Sequence, residues 1–359
     1  MTDEVLKLTR PDLRDLIPYA VPDYPGFIKL DANENPYDFA PEVMSEIFRQ
    51  VSGQTFVRYP DPLAAGLREA LAGYTGLDPE NVLAGNGSDE LILTLLLTFG
   101  SGGRVIITPP TFSMYGIHAR IAGAVPIDVP RLADFTLDLQ ALLREAAVQG
   151  TRMMIICSPN NPTGNTVARA AVEELLEGTE GLVLLDEAYV EFAGKSCTEL
   201  VRRYPRLVVL RTFSKAFGLA GLRVGYLAAG SEVISALLKV KQPFNLNAFS
   251  QLAARTVLEY LPVFRERIDA IVAGREELLR KMSDIPGVET FPSRANFILF
   301  RTGLPAAAVY EGLLEREILI RNVESPGLDR CLRVNVGTPA ENRAFIDALR
   351  AVLGVNDDD

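Results

Sequence analysis

The sequence of 359 residues contains no tryptophan, one histidine and three cysteines. The single histidine, His118, excludes any mechanism or metal site that requires two histidines. Cys157, Cys197 and Cys331 are far apart in the chain and show no CxxC spacing. This odd, scattered set predicts neither a disulfide framework nor a structural zinc site, and it is typical of a protein from a reducing compartment. We therefore expect no metal centre.

Positive charge and long apolar runs are also scarce. The 36 Lys and Arg residues against 46 Asp and Glu residues give a formal net charge of −10. This acidity argues against a surface for nucleic acid or anionic membrane. The longest apolar run, 91–99, contains two threonines and is far shorter than the roughly 18 residues of a membrane span. Residues 1–30 lack the apolar centre of a signal peptide, so we expect a cytoplasmic protein that binds neither nucleic acid nor membrane.

The length and the patterning predict two domains preceded by a terminal arm. At roughly 100–200 residues per domain, a chain of this length suggests about two domains. Residues 1–30 are rich in Pro, Asp and Tyr and are weakly periodic, as in an extended arm that needs another surface to order it. We predict a large domain over residues 31–245, of which 31–45 could pack with the second domain. A smaller C-terminal α+β domain is predicted over residues 246–359.

Short apolar runs alternate with helical patterns between residues 80 and 230. The predicted strands are 82–84, 104–108, 125–129, 153–157, 182–186, 207–211 and 224–229, and the predicted helices are 88–99, 112–123, 137–149 and 167–176. Several strands are continuous Val, Ile and Leu runs, typical of strands buried on both faces. We predict an α/β fold with a mostly parallel seven-stranded sheet covered by helices. Only residues 212–223 separate the last two strands, so the last strand should be antiparallel.

The pattern changes after residue 245. A long helical stretch over 247–282 is followed by strand-like segments at 296–300, 318–321 and 332–336, and then by a helix over 339–353. These elements form the predicted smaller domain, which would hinge on the long helix.

Two glycine-containing segments follow predicted strands, where an α/β sheet places its ligands. The segment GNGSDE (85–90) is either a loop with Ser88 as the N-cap or a cradle of free N–H groups for a phosphate. The segment CSPNNPTG (157–164) is either a rigid turn or a loop that holds Asn161 as a fixed hydrogen-bond donor. Both alternatives stay open for each segment on sequence alone.

Two ionisable residues end or follow later strands. Asp186 ends a buried apolar strand and must find a partner, because an unpaired buried carboxylate is costly. A helix cap or a structural ion pair would satisfy that requirement. Lys215 lies among small and apolar residues, where lost hydration lowers the amine pKa and favours a nucleophile. Thr212, Ser214 and Arg223 add hydroxyl groups and a cation suited to an anion.

Together these segments supply what pyridoxal phosphate requires, namely a lysine, a carboxylate facing the pyridinium nitrogen and an anchored phosphate. The motifs CSPNNPTG, LLDEAY and TFSKAFGLAGLR, in this order, resemble the fold-type-I pyridoxal-phosphate aminotransferases. The motifs LDANENPY, VRYPDP, GNGSDE, PPTFSMY, PSRANF and CLRVNVGT resemble the histidinol-phosphate subfamily more closely, and the resemblance covers nearly the whole chain.

The resemblance implies the cofactor pyridoxal 5'-phosphate and a homodimer with shared active sites. The implied reaction interconverts L-histidinol phosphate plus 2-oxoglutarate and imidazole acetol phosphate plus L-glutamate in histidine biosynthesis. One lysine and one anion clamp would serve both half-reactions, so ping-pong kinetics are expected.

The resemblance also implies a role for each matching residue. Lys215 is expected to be the internal aldimine lysine and the proton shuttle, and Asp186 the partner of the pyridinium nitrogen. Tyr59 is expected to reach the phosphate of the other subunit's cofactor. The remaining expected contacts surround the ring and the phosphate: Tyr189 and Asn161 at the ring 3-oxygen, Phe112 on the ring face, and Gly87, Ser88, Asp89, Thr212, Ser214 and Arg223 at the phosphate.

For the substrate, Arg333 resembles the family arginine that binds the donor carboxylate, a planar anion that suits a guanidinium group. Arg321 resembles a second arginine placed for the glutamate side chain or the histidinol phosphate group; the alternative is an exposed strand arginine. Tyr19 and Asn33 are weaker candidates at the mouth of the pocket. His118 is predicted at a polar surface position of a helix.

Several other functions compete with this interpretation. An aromatic amino-acid aminotransferase or a phosphothreonine-type decarboxylase of the same fold would use the same cofactor residues. A cofactor-binding sensor without turnover would normally carry a DNA-binding region, and the chain has no basic helix–turn–helix segment to spare. A dinucleotide-binding protein is excluded because GNGSDE does not match GxGxxG.

Overall fold

A computed structural model describes residues 3–18 and 24–355 of the chain. The strands within these residues are β1 (Ile28–Lys29), β2 (Val82–Gly85), β3 (Arg104–Ile107), β4 (Val125–Asp128), β5 (Thr151–Cys157), β6 (Leu182–Asp186), β7 (Leu207–Thr212), β8 (Gly225–Ala229), β9 (Val288–Thr290), β10 (Phe297–Thr302), β11 (Ile318–Leu319), β12 (Arg321–Asn322) and β13 (Cys331–Asn335). The α-helices are α1 (Asp3–Leu6), α2 (Pro41–Gln50), α3 (Gly53–Val57), α4 (Ala65–Thr75), α5 (Ser88–Leu95), α6 (Met114–Ile121), α7 (Leu139–Ala146), α8 (Arg169–Gly178), α9 (Val190–Ala193), α10 (Ser231–Leu238), α11 (Ala248–Glu259), α12 (Leu261–Ser283), α13 (Ala306–Leu314) and α14 (Pro339–Leu353).

The central sheet has seven strands in the order β2-β8-β7-β6-β5-β3-β4. Strand β8 is antiparallel to both of its neighbours, β2 and β7, whereas the other adjacent pairs are parallel. The predicted sheet is therefore confirmed, including the antiparallel last strand. The short connection between β7 and β8 leaves no room for the crossover helix that a parallel pair requires.

Successive side chains of each central strand lie on opposite faces of the sheet, and a layer of helices covers each face. Met153, Ile155 and Cys157 of β5 pack on the side of α5 and α6, whereas Met154 and Ile156 pack with α7 and α8. Because the period of a strand is two residues, both faces of these continuous apolar runs are buried. The same alternation places Asp186, at the end of β6, on the side of α6.

The C-terminal part contains an antiparallel sheet in the order β12-β13-β10-β9, with α12, α13 and α14 packed near it. Strand β1 pairs in parallel with β11, so Ile28 lies beside Ile318. Leu30 is buried in the apolar cluster of this C-terminal part. Residues 28–30 therefore belong to its packing, although they precede the large sheet in the chain. The predicted domain boundaries stay a prediction.

Several predicted details are wrong. The helical stretch 247–282 is two helices, α11 and α12, because the chain breaks at Tyr260 and Pro262 occupies the first turn of the second helix. The predicted strand 318–321 is split between β11 and β12, which belong to different sheets. The arm includes helical turns at Asp3–Leu6 and Pro11–Leu13.

His118 also differs from its prediction. It is only 8% exposed, and neither ring nitrogen has a hydrogen-bond partner within the described part of the chain. Burial lowers the pKa of this imidazole, so the neutral form is favoured.

In residues 3–18 and 24–355, no helix combines the length and the apolar character that crossing a membrane would require.

Candidate active site

The carboxyl ends of β2, β5, β6 and β7 lie at one edge of the central sheet, because β2 runs parallel to the others through the intervening antiparallel β8. The predicted site segments follow these ends, as expected for ligand sites in α/β sheets. The topology thus brings the loops after Gly85, Cys157, Asp186 and Thr212 to the same edge.

Asp186 is a buried carboxylate with fixed geometry. It is 4% exposed. Its Oδ2 accepts a hydrogen bond of 2.6 Å from the Tyr115 hydroxyl, and its Oδ1 accepts one of 2.9 Å from the Ala188 N–H. Burial raises the pKa of Asp186 to about 6, although both hydrogen bonds act in the opposite direction. A buried acid of this kind is suited to pair with a cationic ligand.

Lys215 is half-buried, and its Nζ donates a hydrogen bond of 2.8 Å to the carbonyl oxygen of Ala32. Burial, assisted by the positive charge of Arg333, lowers the pKa of the Lys215 amine to about 8. The neutral, nucleophilic form is therefore accessible near neutral pH, as the sequence predicted.

The segment 31–35 runs across the site and joins its two sides. The Asn33 side chain donates through Nδ2 to the Tyr189 hydroxyl at 2.9 Å, and the Asn33 N–H donates to Asn335 Oδ1 at 3.1 Å. Asn296 Nδ2 donates to the Asn33 carbonyl at 3.0 Å. Asn33 has a φ of +54°, a left-handed conformation that asparagine tolerates better than most residues. Asn33 thus contacts Tyr189 directly, which the sequence did not indicate.

Arg333 connects the C-terminal sheet to the same site. Its Nη1 donates to Asn161 Oδ1 at 2.6 Å, its Nη2 donates to the Asp31 carbonyl, and its guanidinium carbon lies 5.3 Å from the Phe297 ring centroid. Arg321 is the cross-strand neighbour of Arg333 in the β12–β13 pair. Two arginines therefore lie side by side on adjacent strands, at positions suited to a pair of anionic groups.

Gly87 begins the helix α5 with a φ of +86°, a left-handed conformation suited to glycine. It is the N-cap, and Ser88 is the first helical residue, which corrects the interpretation of Ser88 as the cap. A Cβ added at Gly87 would lie 2.8 Å from Arg223 Nη2, and one at Gly225 would lie 2.5 Å from the Ser88 backbone nitrogen. These glycines keep the first turn of α5 accessible to backbone contacts.

A cation and two hydroxyl residues flank this helix start. Arg223 Nη2 lies 3.0 Å from Asp89 Oδ2. Thr212 and Ser214 are buried, and the Ser214 N–H donates to Thr212 Oγ1 at 3.1 Å. The N–H groups of a helix start, an arginine and hydroxyls are groups suited to an anion. Three parts of the site fit pyridoxal phosphate: the Asp186 carboxylate suits its ring nitrogen, the Lys215 amine suits its aldehyde, and the first turn of α5 suits its phosphate.

For three other residues the predicted roles stay predictions. Tyr59 is 83% exposed and stacks on Phe244 with 4.6 Å between ring centroids, so its only ring contact in the described residues is at the surface. Phe112 precedes α6 and is half-buried, with its ring edge-to-face with Tyr115 at 5.4 Å. Tyr19 lies outside the described residues.

Sequence reasoning missed a buried network one residue away from the site. Glu187 Oε2 accepts hydrogen bonds from Arg211 Nε at 3.0 Å and Nη2 at 2.9 Å, and from Ser196 Oγ at 2.7 Å, while its Oε1 accepts from the Cys197 N–H at 2.7 Å. Glu187 follows Asp186 in sequence, and Arg211 precedes Thr212. The pair therefore joins the ends of β6 and β7. Two charged residues inside the motifs indicated this network: Glu187 in DEAY and Arg211 in RTFSK.

We expect Glu187→Ala to destabilise the fold by about 3–5 kcal/mol, because it leaves the buried Arg211 cation without its main partner. Urea unfolding followed by circular dichroism measures this loss. The matched control is Glu289→Ala, which removes an exposed ion pair to Arg301 (Arg301 Nε to Glu289 Oε2, 2.6 Å) and should cost less than about 1 kcal/mol. Equal losses in the two variants would contradict the prediction.

Comparison with known proteins identifies relatives over nearly the full length. Residues 25–349 match the model of the family "aminotransferase class I and II". The chain is 43% identical to a histidinol-phosphate aminotransferase of Thermococcus gammatolerans, over 94% of this chain and 95% of that protein. It is 39% identical to the protein of the same name from Thermoanaerobacter pseudethanolicus, over 96% of this chain and 99% of that protein.

Solved structures have the same fold. A histidinol-phosphate aminotransferase from Sinorhizobium meliloti in complex with pyridoxal-5'-phosphate superposes with a TM-score of 0.84 at 29% identity, covering 91% of this chain and 90% of that chain. An L-threonine-O-3-phosphate decarboxylase from Porphyromonas gingivalis superposes with a TM-score of 0.80 at 24% identity, covering 91% and 99%. The second likeness concerns the fold alone.

Proposed function

The chain belongs to the class I and II aminotransferase family, and on that premise we propose that it transfers the amino group of L-histidinol phosphate to 2-oxoglutarate. The products are imidazole acetol phosphate and L-glutamate, and the reverse direction serves histidine biosynthesis. Relatives of that name at 43% and 39% identity support this substrate. The observation that carries the chemistry is the half-buried Lys215 amine, with its lowered pKa, at the sheet edge that also holds the buried Asp186.

Pyridoxal phosphate would be held by residues that contact its ring nitrogen, its ring oxygen and its phosphate. Asp186 would pair with the ring nitrogen and keep it protonated. Tyr189 and Asn161 would donate hydrogen bonds to the ring oxygen, Asn161 through its NH₂ group, since its Oδ1 accepts a hydrogen bond from Arg333. The phosphate contacts would come from the helix start and its neighbours: Gly87, Ser88, Asp89, Thr212, Ser214 and Arg223. When bound, this cofactor carries the amino group and delocalises the electrons released at the substrate α-carbon.

The chain's own residues supply binding and proton transfer. The Lys215 amine, once neutral, would accept the proton from the α-carbon of the amino donor. In the second half-reaction it would deliver a proton to the α-carbon of the amino acceptor. Tyr189, fixed by Asn33, orients the ring oxygen. To bind the cofactor, the Lys215 amine would first have to release its hydrogen bond to the Ala32 carbonyl.

The two adjacent arginines would bind both substrates in turn. Arg333 would form a bidentate contact with the carboxylate of glutamate or 2-oxoglutarate. Arg321, the neighbour of Arg333 in the β12–β13 pair, would bind the second carboxylate of that substrate or the phosphate of histidinol phosphate. Since one site receives both molecules, the second substrate binds only after the first product leaves, which produces ping-pong kinetics.

The decisive assay compares three amino donors with purified protein loaded with pyridoxal phosphate. We expect histidinol phosphate to bleach the yellow protein and to yield glutamate when 2-oxoglutarate is added. Faster turnover of phenylalanine would favour an aromatic aminotransferase, and carbon dioxide released from threonine phosphate would favour a decarboxylase of this fold. A colourless protein that takes up no cofactor would refute the whole assignment.

We propose that the enzyme is a homodimer whose subunits share their active sites, and that it is cytoplasmic. Exposed apolar side chains within residues 48–63, together with Phe244, support an interface with a second copy: Phe48, Phe56, Val57, Leu63 and Phe244. A tyrosine 83% exposed and stacked on another exposed aromatic ring is typical of an interface residue. The free cysteines among the described residues support a reducing compartment.

Mixed dimers test whether Tyr59 acts across the interface. We expect a hybrid of one Lys215→Ala subunit and one Tyr59→Ala subunit to contain one fully intact site, and so to regain about half of the wild-type activity. That gain should exceed the activity of either parent homodimer, measured after chromatographic separation of differently tagged subunits. If Tyr59 served its own subunit, the hybrid would show no more than half the activity of the Tyr59→Ala homodimer. A monomer by light scattering would contradict the proposal directly.

A further inference from the structure

Tyr115 is a buried tyrosine to which the proposed reaction assigns no role. It is 0% exposed and lies on α6 within an apolar cluster that includes Leu91, Ala119 and Ile155. A hydroxyl in such a cluster is costly unless it forms a hydrogen bond, whereas a phenylalanine of the same shape would carry no such cost. The presence of the hydroxyl therefore needs an explanation.

That hydroxyl donates to Asp186 Oδ2 at 2.6 Å. The Ala188 N–H holds the other carboxylate oxygen at 2.9 Å. Donors on both oxygens fix the plane of the carboxylate and favour its ionised form. Since a hydrogen bond to an ionised group is stronger than one between neutral groups, the contact is worth most when Asp186 carries its charge.

We propose that Tyr115 is a positioning residue that keeps Asp186 ionised and oriented toward the ring nitrogen of the cofactor. It acts through Asp186 and touches neither substrate nor cofactor. The inference rests on the proposed cofactor but is independent of which amino donor the enzyme uses.

The surrounding charges determine the direction of the expected effect. From α5, Asp89 raises the pKa of Asp186, and the adjacent Glu187 does so as well, while Cys157 on the neighbouring strand is a neutral thiol whose own pKa burial raises to about 12. Burial holds the pKa of Tyr115 well above its ordinary value, so it remains a donor at every working pH. Apart from the Ala188 N–H, the Tyr115 hydroxyl is thus the principal group that lowers the pKa of Asp186.

The test is the affinity of the cofactor-free protein for pyridoxal phosphate, measured by fluorescence titration between pH 5 and 8. Affinity should fall as acid protonates Asp186. Tyr115→Phe removes a hydrogen bond that favours the carboxylate, so we expect its loss of affinity to begin about one pH unit higher than in the wild type. The cofactor phosphate also titrates in this range, but it does so equally for the two proteins. The ratio of the wild-type affinity to the variant's affinity at each pH is therefore free of that effect.

Two further variants separate this role from a structural one. Tyr226→Phe removes another buried hydroxyl, which accepts a hydrogen bond of 3.4 Å from Arg211 Nη1, and it should leave the pH midpoint unchanged. In an Asp186→Asn background, Tyr115→Phe should cause no additional shift, because the group on which it acts is gone. An equal midpoint in the wild type and Tyr115→Phe, or an equal shift with Tyr226→Phe, overturns the inference. Failure of the wild type to bind the cofactor overturns the proposed function and this inference together.

Discussion

Replacing Lys215 with alanine is expected to remove nearly all amino transfer, with a loss of about 10⁴-fold in kcat. The pKa of this amine, about 8, allows it to act as nucleophile and base near neutral pH. Asp186 and the phosphate-binding residues are unchanged in the variant, so it should still bind pyridoxal phosphate. Stopped-flow absorbance with histidinol phosphate, beside equilibrium binding of the cofactor, measures both outcomes.

The matched control is Lys195→Ala, which removes an exposed lysine from the loop after α9 and should leave kcat unchanged. Thermal melting of both variants checks that folding is preserved. Residual activity of Lys215→Ala within tenfold of the wild type would show that another group moves the proton. Loss of cofactor binding together with loss of structure would point to a structural lysine instead.

Asp186→Asn is expected to lower kcat by about 10²–10³-fold, because a neutral amide cannot stabilise a protonated ring nitrogen by charge. The amide also reverses part of the local hydrogen bonding, since its NH₂ group would face the Tyr115 hydroxyl, which donates to Oδ2 in the wild type. Weaker cofactor binding should accompany the slower turnover. Steady-state kinetics at saturating cofactor separate the two effects.

Asp128→Asn provides a control at the same sheet edge. Asp128 ends β4 as Asp186 ends β6, but it is exposed. Both substitutions remove one negative charge from the end of a parallel strand, so only the buried position should affect catalysis. Comparable losses in the two variants would mean that the overall charge of this edge matters, and not the partner of the ring nitrogen.

The sheet and the gathering of the site were predictable because they depend on local patterns. The continuous apolar runs before Cys157, Asp186 and Thr212 required strands buried on both faces, and parallel strands bring their carboxyl ends to one edge. The proximity of Asp186 and Lys215 to that edge follows from the topology. The pairing of residue 33 with Tyr189 does not, because it depends on β1 joining a strand almost 300 residues later in the sequence.

Details that depend on the rotation of a helix could not be predicted. The motif PPTFSMY places Phe112 and Tyr115 three residues apart, yet it does not say which of them reaches the carboxylate. His118 is polar and was expected at the surface, but the packing of α6 against α5 buries it. The break at Tyr260 is a different case, since Pro262 was visible and only the strong apolar periodicity of 247–282 outweighed it.

The run of residues from Ile28 to Asn35 makes the two parts of the molecule mechanically interdependent. One end is hydrogen-bonded along β11, and the other supplies the backbone oxygen that holds the Lys215 amine. The segment is also hydrogen-bonded to β13, because the Asn335 N–H donates to the Leu30 carbonyl and the Asn33 N–H donates to Asn335 Oδ1. A shift of β13 would therefore displace the Ala32 carbonyl, which accepts the hydrogen bond of the Lys215 amine. Arg333 donates to the Asp31 carbonyl, next to Ala32, so an anion that drew the Arg333 guanidinium away would loosen the backbone that holds the amine.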